Sequence, residues 1–285
     1  MQVLIYSIIF AFGIIFNPSA IEMKKKKELL YIGTYEERGS EGIYVFEFDR
    51  ENRKLSLIQT IKDRESPTYL AMHPAKKRLY ASNRQGVDQS GTGSISAFFI
   101  NRSGKLELER TLKSGGESPC HISIDPLGRY AYVSHYLSSH MVVFNLNQDG
   151  SLGEEVLSKK FVGSSLHPER QKESHLHSII PDGSGSALYV SDLGTDLLHK
   201  FQVEDSQGLN LRELSQVKAI PGSGPRHAAL HPNGQILLSV EEISSTISLY
   251  TFDHNGKMEA KDRQELLMPD DQLEGINTSA DLQIS

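Results

Sequence analysis

The side chains of this chain that can move a proton or hold an anion stand at matching places in a repeated pattern. His121, His175, His177 and His227 exchange protons near neutral pH, Asp192, Glu241 and Glu242 supply carboxylates, and Arg226 supplies a forked cation suited to a phosphate or carboxylate. A base and a cation together suit hydrolysis, since one activates water and the other stabilises the oxyanion that forms. A non-catalytic scaffold that binds a ligand or partner does not require both. His175 and His177, two apart on an extended segment, would share a face and suit a metal, but only two ligands are in view, so no metal and no other cofactor is expected. Cys120 is the single cysteine, which rules out an intramolecular disulfide. Set between Pro119 and His121 where a strand begins, it reads as a small buried residue and not as a thiol nucleophile.

These residues are positioned by a segment that recurs at Tyr69 (SPTYLAMHPAKKRLYASN), His121 (SPCHISIDPLGRYAYVSH), His177 (HLHSIIPDGSGSALYVSD) and His227 (GPRHAALHPNGQILLSVE), and begins again at Asp281, at intervals of 50 to 56 residues. Each copy reads as a turn, a short inner strand, a Pro/Gly turn and a second strand. Further strands follow, such as Gly93 to Ile100 and Lys105 to Leu112, where apolar residues alternate with charged ones. Asn255-Gly256 is expected to make a tight hairpin turn. No long stretch has a 3.6-residue apolar period, so few helices are expected. Four short strands per unit at this period mark propeller blades, and the fold class is all-β. In an antiparallel pair the start of the first strand lies beside the end of the second. The pattern therefore gathers Tyr69 with Asn83-Arg84, His121 with His135-Tyr136, His175 and His177 with Asp192, Arg226-His227 with Glu241-Glu242, and Asp281 at one mouth of the central channel. Asp196, near Gly194, reads as a turn residue.

The net charge of −6, from 30 Lys and Arg against 36 Asp and Glu, leaves no basic field for a nucleic-acid backbone, and no nucleic-acid partner is expected. Residues 3–16 are an uncharged apolar run, the length of a signal-peptide core and short for a spanning helix. Residues 1–28 are thus read as a signal peptide, which would place the protein outside the cytoplasm or in the periplasm, or as a mis-set start with translation beginning at Met23 and a cytoplasmic protein. A membrane association follows only if residues 3–16 are an uncleaved anchor. Residues 29–285 form the propeller. Leu30 to Thr34 align with Leu79 to Asn83, so the first unit starts at its second strand, and Asp281 starts a unit that Ser285 interrupts. The expectation is an incomplete propeller of one partial blade, four complete blades and the start of a sixth, able to associate through open blade edges.

Several motifs in fixed order carry a family resemblance: Tyr31-Ile32-Gly33-Thr34-Tyr35, Ser118-Pro119-Cys120-His121, Pro168-Glu169-Arg170-Gln171 leading to His175-Leu176-His177, Asp192-Leu193-Gly194-Thr195-Asp196, Gly222 to His227, and Ser279-Ala280-Asp281. From about Leu29 to Ser285 the chain resembles the seven-bladed propeller lactonases, which include bacterial 6-phosphogluconolactonase and the fungal carboxy-muconate lactonizing enzyme. The resemblance implies a carboxylic-ester hydrolase that opens a small-molecule sugar lactone, 6-phosphogluconolactone in the pentose phosphate pathway, with a muconate-type lactonizing enzyme and a non-catalytic propeller as alternatives. It implies His177, Arg226 and Glu242 as catalytic residues; His121, His175, Asp192 and His227, gathered at the same mouth by strand pairing, are expected to bind substrate around them. Ser174 stands where the family has proline, and Glu241-Glu242-Ile243 replaces Asn-Glu-Leu, so alignment favours Glu242. An unperturbed His177 would titrate between about pH 5.5 and 7.5. The bland alternative is that Arg226 and Glu242 form an ion pair that only fixes one blade's hairpin.

Overall fold

The protein's structure, a computed structural model, describes residues 28–35, 39–62, 66–85, 92–267 and 277–284. The readings of residues 1–27 as signal peptide, anchor or extended start lie outside the described residues. Among the described residues nineteen strands form five antiparallel sheets. The first holds β1 (Glu28–Gly33), β2 (Gly42–Asp49) and β3 (Lys54–Lys62). The second holds β4 (Pro67–Met72), β5 (Arg78–Asn83), β6 (Thr92–Ile100) and β7 (Leu106–Glu117); the third β8 (Pro119–Ile124), β9 (Tyr130–His135), β10 (His140–Leu146) and β11 (Leu152–Lys160). The fourth holds β12 (Leu176–Pro181), β13 (Ala187–Asp192), β14 (Leu197–Glu204) and β15 (Asn210–Lys218); the fifth β16 (Pro225–Leu230), β17 (Ile236–Glu241), β18 (Thr246–Phe252) and β19 (Met258–Glu265). Each of the last four sheets is a four-stranded blade whose first strand lies next to that of its neighbour.

Burial follows position in the blade. β5, β9 and β13 (RLYASN, YAYVSH, ALYVSD) are buried along their whole length. Strands covered on both faces drop the polar alternation and read as runs of Leu, Tyr, Ala, Val and Ser. β15, near the outside, keeps the alternation, with charged residues exposed and Leu211 and Val217 turned partly inward. Between blades lie separate apolar clusters. One joins Tyr80, Ile95 and Ala97 to Ile122, Val133 and Phe144 of the next blade, and another joins Tyr132, Met141 and Val143 to Ile179, Val190 and Phe201. Each buried side chain of this size contributes about 1.5–3 kcal/mol, so blade-to-blade packing dominates cohesion. Tyr80 also donates to the Gly150 carbonyl across one such interface.

The turn between the first two strands repeats as well. His73 and Arg78, Asp125 and Tyr130, Asp182 and Ala187, and His231 and Ile236 close it through backbone hydrogen bonds of 2.8 to 2.9 Å. Its left-handed position is held by Lys76, Gly128, Gly185 and Gly234. Asn255-Gly256 departs from expectation. A two-residue hairpin would need positive φ at both residues, yet only Gly256 has it, and the turn is the longer Asp253–Lys257 loop closed by Asp253 N to Lys257 O at 2.9 Å.

Candidate active site

The inner strand of each complete blade carries a β-bulge at one position. Pro67 faces Asn83 while Tyr69 faces Ser82, Pro119 faces His135 while His121 faces Ser134, Leu176 faces Asp192 while Ser178 faces Ser191, and Pro225 faces Glu241 while Ala228 faces Ser239. The extra residues are Thr68, Cys120, His177 and Arg226. A bulge turns its side chain out of the pleat alternation, and these four all line one cavity of about 550 Å³. This corrects the repeat alignment by one residue in the fourth blade: His177 is the counterpart of Cys120 and Arg226, and Ser178 the counterpart of His121 and His227. A second column comes from the residue that follows each second strand. Arg84, Tyr136, Leu193 and Glu242 donate their backbone N–H to Ser66, Ser118, His175 and Gly224 respectively, at 2.8 to 3.1 Å, and Arg84, Tyr136 and Glu242 line the same cavity.

Glu242 is the centre of the charged groups. Arg226 Nε donates to its Oε2 at 2.9 Å, and Arg170 Nη2 donates to its Oε1 at 2.6 Å. His177 Nε2 lies 3.7 Å from Oε2, and its Nδ1 is buried with no protein partner. Arg226 also donates to the Ala280 carbonyl. The structural ion pair weighed as an alternative therefore exists, but it is part of a carboxylate held between two guanidinium groups inside a cavity. Glu241 faces away: it is fully buried and accepts from Thr246 Oγ1 at 2.5 Å, Ser248 Oγ at 2.6 Å and Arg263 Nε at 3.3 Å.

Burial, reinforced by the Arg226 guanidinium, holds the His177 imidazole well below its ordinary pKa, so it is neutral at pH 7. The expected titration of His177 between pH 5.5 and 7.5 is corrected accordingly. His227 Nδ1 is 2.7 Å from Asp281 Oδ1. Burial and Arg226 lower its pKa, and Asp281 works in the opposite direction. The rings of His177, His121 and Tyr69 pack around it at centroid distances of 5.3, 5.3 and 5.5 Å. This layer separates the first cavity from a second of about 570 Å³, lined by Asp182 and His231 among others. His227 and Asp281 line both cavities, whereas His121 lines only the second.

Three of the four expected substrate-binding residues lie outside the first cavity: His121 lines only the second, and Asp192 and His175 line neither. Asp192 is buried and accepts from Ser174 Oγ at 2.6 Å, His175 N at 2.8 Å and Gly194 N at 3.0 Å, holding the turn before β12. His175 precedes that strand, stacks on Tyr136 at 4.4 Å and meets its carbonyl through Nδ1 at 2.8 Å. Neither residue lines the cavity, and His175 and His177 do not converge as a ligand pair. Cys120 lines the cavity, but burial pushes its thiol up to about 11, and its Sγ lies 3.4 Å from the Leu176 and His177 carbonyls.

Sequence reasoning missed Arg170. It comes from the long connection between β11 and β12, where Gln171 is fully buried and anchored by Nε2 to the Leu193 carbonyl at 2.8 Å. Arg170 leans over the Tyr136 ring and donates to its hydroxyl through Nε at 3.2 Å and Nη2 at 3.1 Å. The available signal was an arginine beside a glutamine in a polar connection that leads into the His-x-His segment.

Comparison with known proteins gives the family. The sequence model described as "Lactonase, 7-bladed beta-propeller" matches residues 29–285. The chain is 32% identical over 222 residues to the 6-phosphogluconolactonase of Bacillus subtilis, which covers 78% of this chain and 61% of that protein. It is 29% identical over 225 residues to that of Formosa agariphila, covering 78% and 63%. The match thus spans less than two thirds of these relatives' length. Among solved structures, the periplasmic gluconolactonase of Pseudomonas aeruginosa superposes with a TM-score of 0.80 at 26% identity, covering 91% of this chain and 73% of that one.

Proposed function

The chain belongs to the seven-bladed β-propeller lactonase family, and from that membership we propose that it serves the hydrolysis of a sugar lactone, 6-phosphogluconolactone to 6-phosphogluconate, at the Arg226–Glu242 cavity. The observation that carries this reading is a neutral imidazole beside a carboxylate clamped by two arginines. Each Glu242 oxygen already accepts from a guanidinium, which leaves the neutral His177 imidazole as the proton acceptor. Water attacks the lactone carbonyl carbon while its proton passes to His177, and Glu242 stabilises the imidazolium. The oxyanion is met by Arg226, an interaction of a kind worth about 10²–10³ in rate. The ring C–O bond then breaks, the proton returns from His177 to the leaving oxygen, and the acid formed ionises in water. Arg84, Arg170 and Arg226 all line this mouth, and a phosphorylated substrate would exploit that charge.

The test is the rate of acid release from 6-phosphogluconolactone and from unphosphorylated gluconolactone under the same conditions. A kcat/KM at least tenfold higher for the phosphorylated substrate is expected. Equal values would move the assignment to unphosphorylated lactones, which the gluconolactonase likeness accommodates, and no turnover of either would leave a ligand-binding propeller.

A further inference from the structure

The Arg170–Glu242–Arg226 clamp is assembled from three separate segments, and the two that carry the arginines meet at one residue that does not touch the cavity. Asp196 lies between β13 and β14, fully buried, with a left-handed backbone of φ 60. Ser139 and Ser245 have the same conformation at the corresponding turns, so the turn itself does not require a carboxylate. The Asp196 Oδ1 accepts from Gln171 Nε2 and Gly224 N, each at 2.8 Å, and lies 3.5 Å from Ser223 Oγ. Its Oδ2 accepts from Ser165 Oγ at 2.5 Å and from Gly222 N at 2.7 Å. No arginine, lysine or histidine pairs with it among the described ion pairs. A buried carboxylate without a cation persists only when hydrogen bonds replace its hydration, and here the donors come from both loops that carry the arginines.

Ser165 and Gln171 belong to the connection that presents Arg170. Gly222, Ser223 and Gly224 form the turn that leads directly into Arg226. The same turn receives the backbone of Glu242, whose N–H donates to the Gly224 carbonyl at 2.8 Å, and that of Ile243, whose N–H donates to the Ser223 carbonyl at 3.0 Å. We propose that Asp196 is a positioning residue that ties the Arg170 connection to the Gly222–Gly224 turn and so sets the separation of the two guanidinium groups on Glu242. The proposal rests on the lactonase reading for its effect on rate, but not for its effect on geometry. An asparagine at this place keeps one acceptor oxygen and turns an amide N–H₂ toward the other donors, so each loop loses one of its two contacts and both are loosened. A shift near 1 Å in a positioning group costs about a hundredfold in rate.

Two measurements test this with Asp196→Asn, using Asp125→Asn as a control. Asp125 is equally buried, binds Arg129 in another blade and lies away from the cavity. The first readout needs no substrate: the guanidinium Nε–H resonances of Arg226 and Arg170, assigned by their loss in Arg226→Lys and Arg170→Lys, should be slow to exchange with water in the parent protein. Asp196→Asn should make both exchange fast, while Asp125→Asn should leave both protected at a comparable fall in Tm. The second readout is lactone turnover, with kcat/KM expected to fall about a hundredfold in Asp196→Asn and less than threefold in Asp125→Asn. If Asp196→Asn does not fold, Ser165→Ala removes only the Oδ2 contact on the Arg170 side and should expose the Arg170 resonance alone. Protected guanidinium signals in Asp196→Asn, or in Ser165→Ala where the first variant is lost, would overturn the proposal. Exposed signals in a protein whose parent turns over no lactone would uphold it while removing the lactonase reading.

Discussion

At the scale of single residues, burial decides which groups can act. His177 is neutral because desolvation and Arg226 disfavour its charged form, and the role proposed for it as a base needs that neutral form. The neutral fraction is complete above the folded-state pKa and falls tenfold per unit below it. Since that pKa lies well below 6.5, kcat/KM is expected to stay level from pH 7.5 to about 6 and to decline only in stronger acid. Stability behaves differently. His121, His135, His177 and His227 all have lowered pKa values in the fold, chiefly through burial, His135 at about 4. The unfolded chain therefore takes up protons first, and stability is complete above the unfolded pKa near 6.5 and is lost as pH falls below it. Thermal melts and kinetics across the same buffers should show Tm falling from about pH 6.5 while kcat/KM still holds. A kcat/KM that rises in parallel with Tm through pH 5.5–7.5 would contradict the neutral base. The residue types of this site were legible in the sequence, and alignment favoured Glu242 over Glu241. Arg170 was not legible, because nothing in a connection's own sequence says that a buried glutamine beside it will aim the arginine into a distant blade.

At the scale of elements, the repeat made the blades readable and also misled by one residue. The turn and second strand of the fourth blade align with the others, but the bulge on β12 takes up His177, so the histidine that looks like a copy of His121 is the copy of Cys120. Bulges leave no mark in an apolar pattern, which explains why strands and turns were legible while the column facing the cavity was not. The Asp192–Asp196 turn shows what such an element requires. A Cβ on Gly194 would stand 1.9 Å from the Glu173 carbonyl oxygen and 2.7 Å from the His175 nitrogen, both backbone atoms that cannot rotate away. Gly194→Ala must therefore push aside the segment that enters β12. The expected cost is about 1–3 kcal/mol of stability, with a fall in kcat at least tenfold, read from denaturant unfolding and turnover on one preparation. A variant with wild-type kcat would show that this close approach does not position His177.

At the scale of the whole molecule, function depends on blades holding their loops in a shared frame. The apolar clusters lie between neighbouring blades, so the distance between β12 and β16 is set by packing, and the charged groups are added at the rim. Period, four strands per complete blade and an all-β propeller followed from the sequence because each blade repeats its own turn chemistry, whereas among the described residues the strand expected to begin at Asp281 is not formed. Arg226 and Glu242 were paired by their shared hairpin, whereas the approach of Arg170 came only from the neighbouring blade, which brings residues 72 apart in sequence into one ion pair. The central claim is that this clamp performs lactone hydrolysis and does not merely fasten a hairpin. Its most direct test is the turnover of 6-phosphogluconolactone by Arg226→Ala and Glu242→Gln, with Tm recorded on the same samples. Losses in kcat/KM of about a hundredfold in each, the scale of one oxyanion donor, are expected in protein that remains folded. Unchanged kcat/KM with a lowered Tm would contradict the account and leave Arg226 and Glu242 as a structural pair.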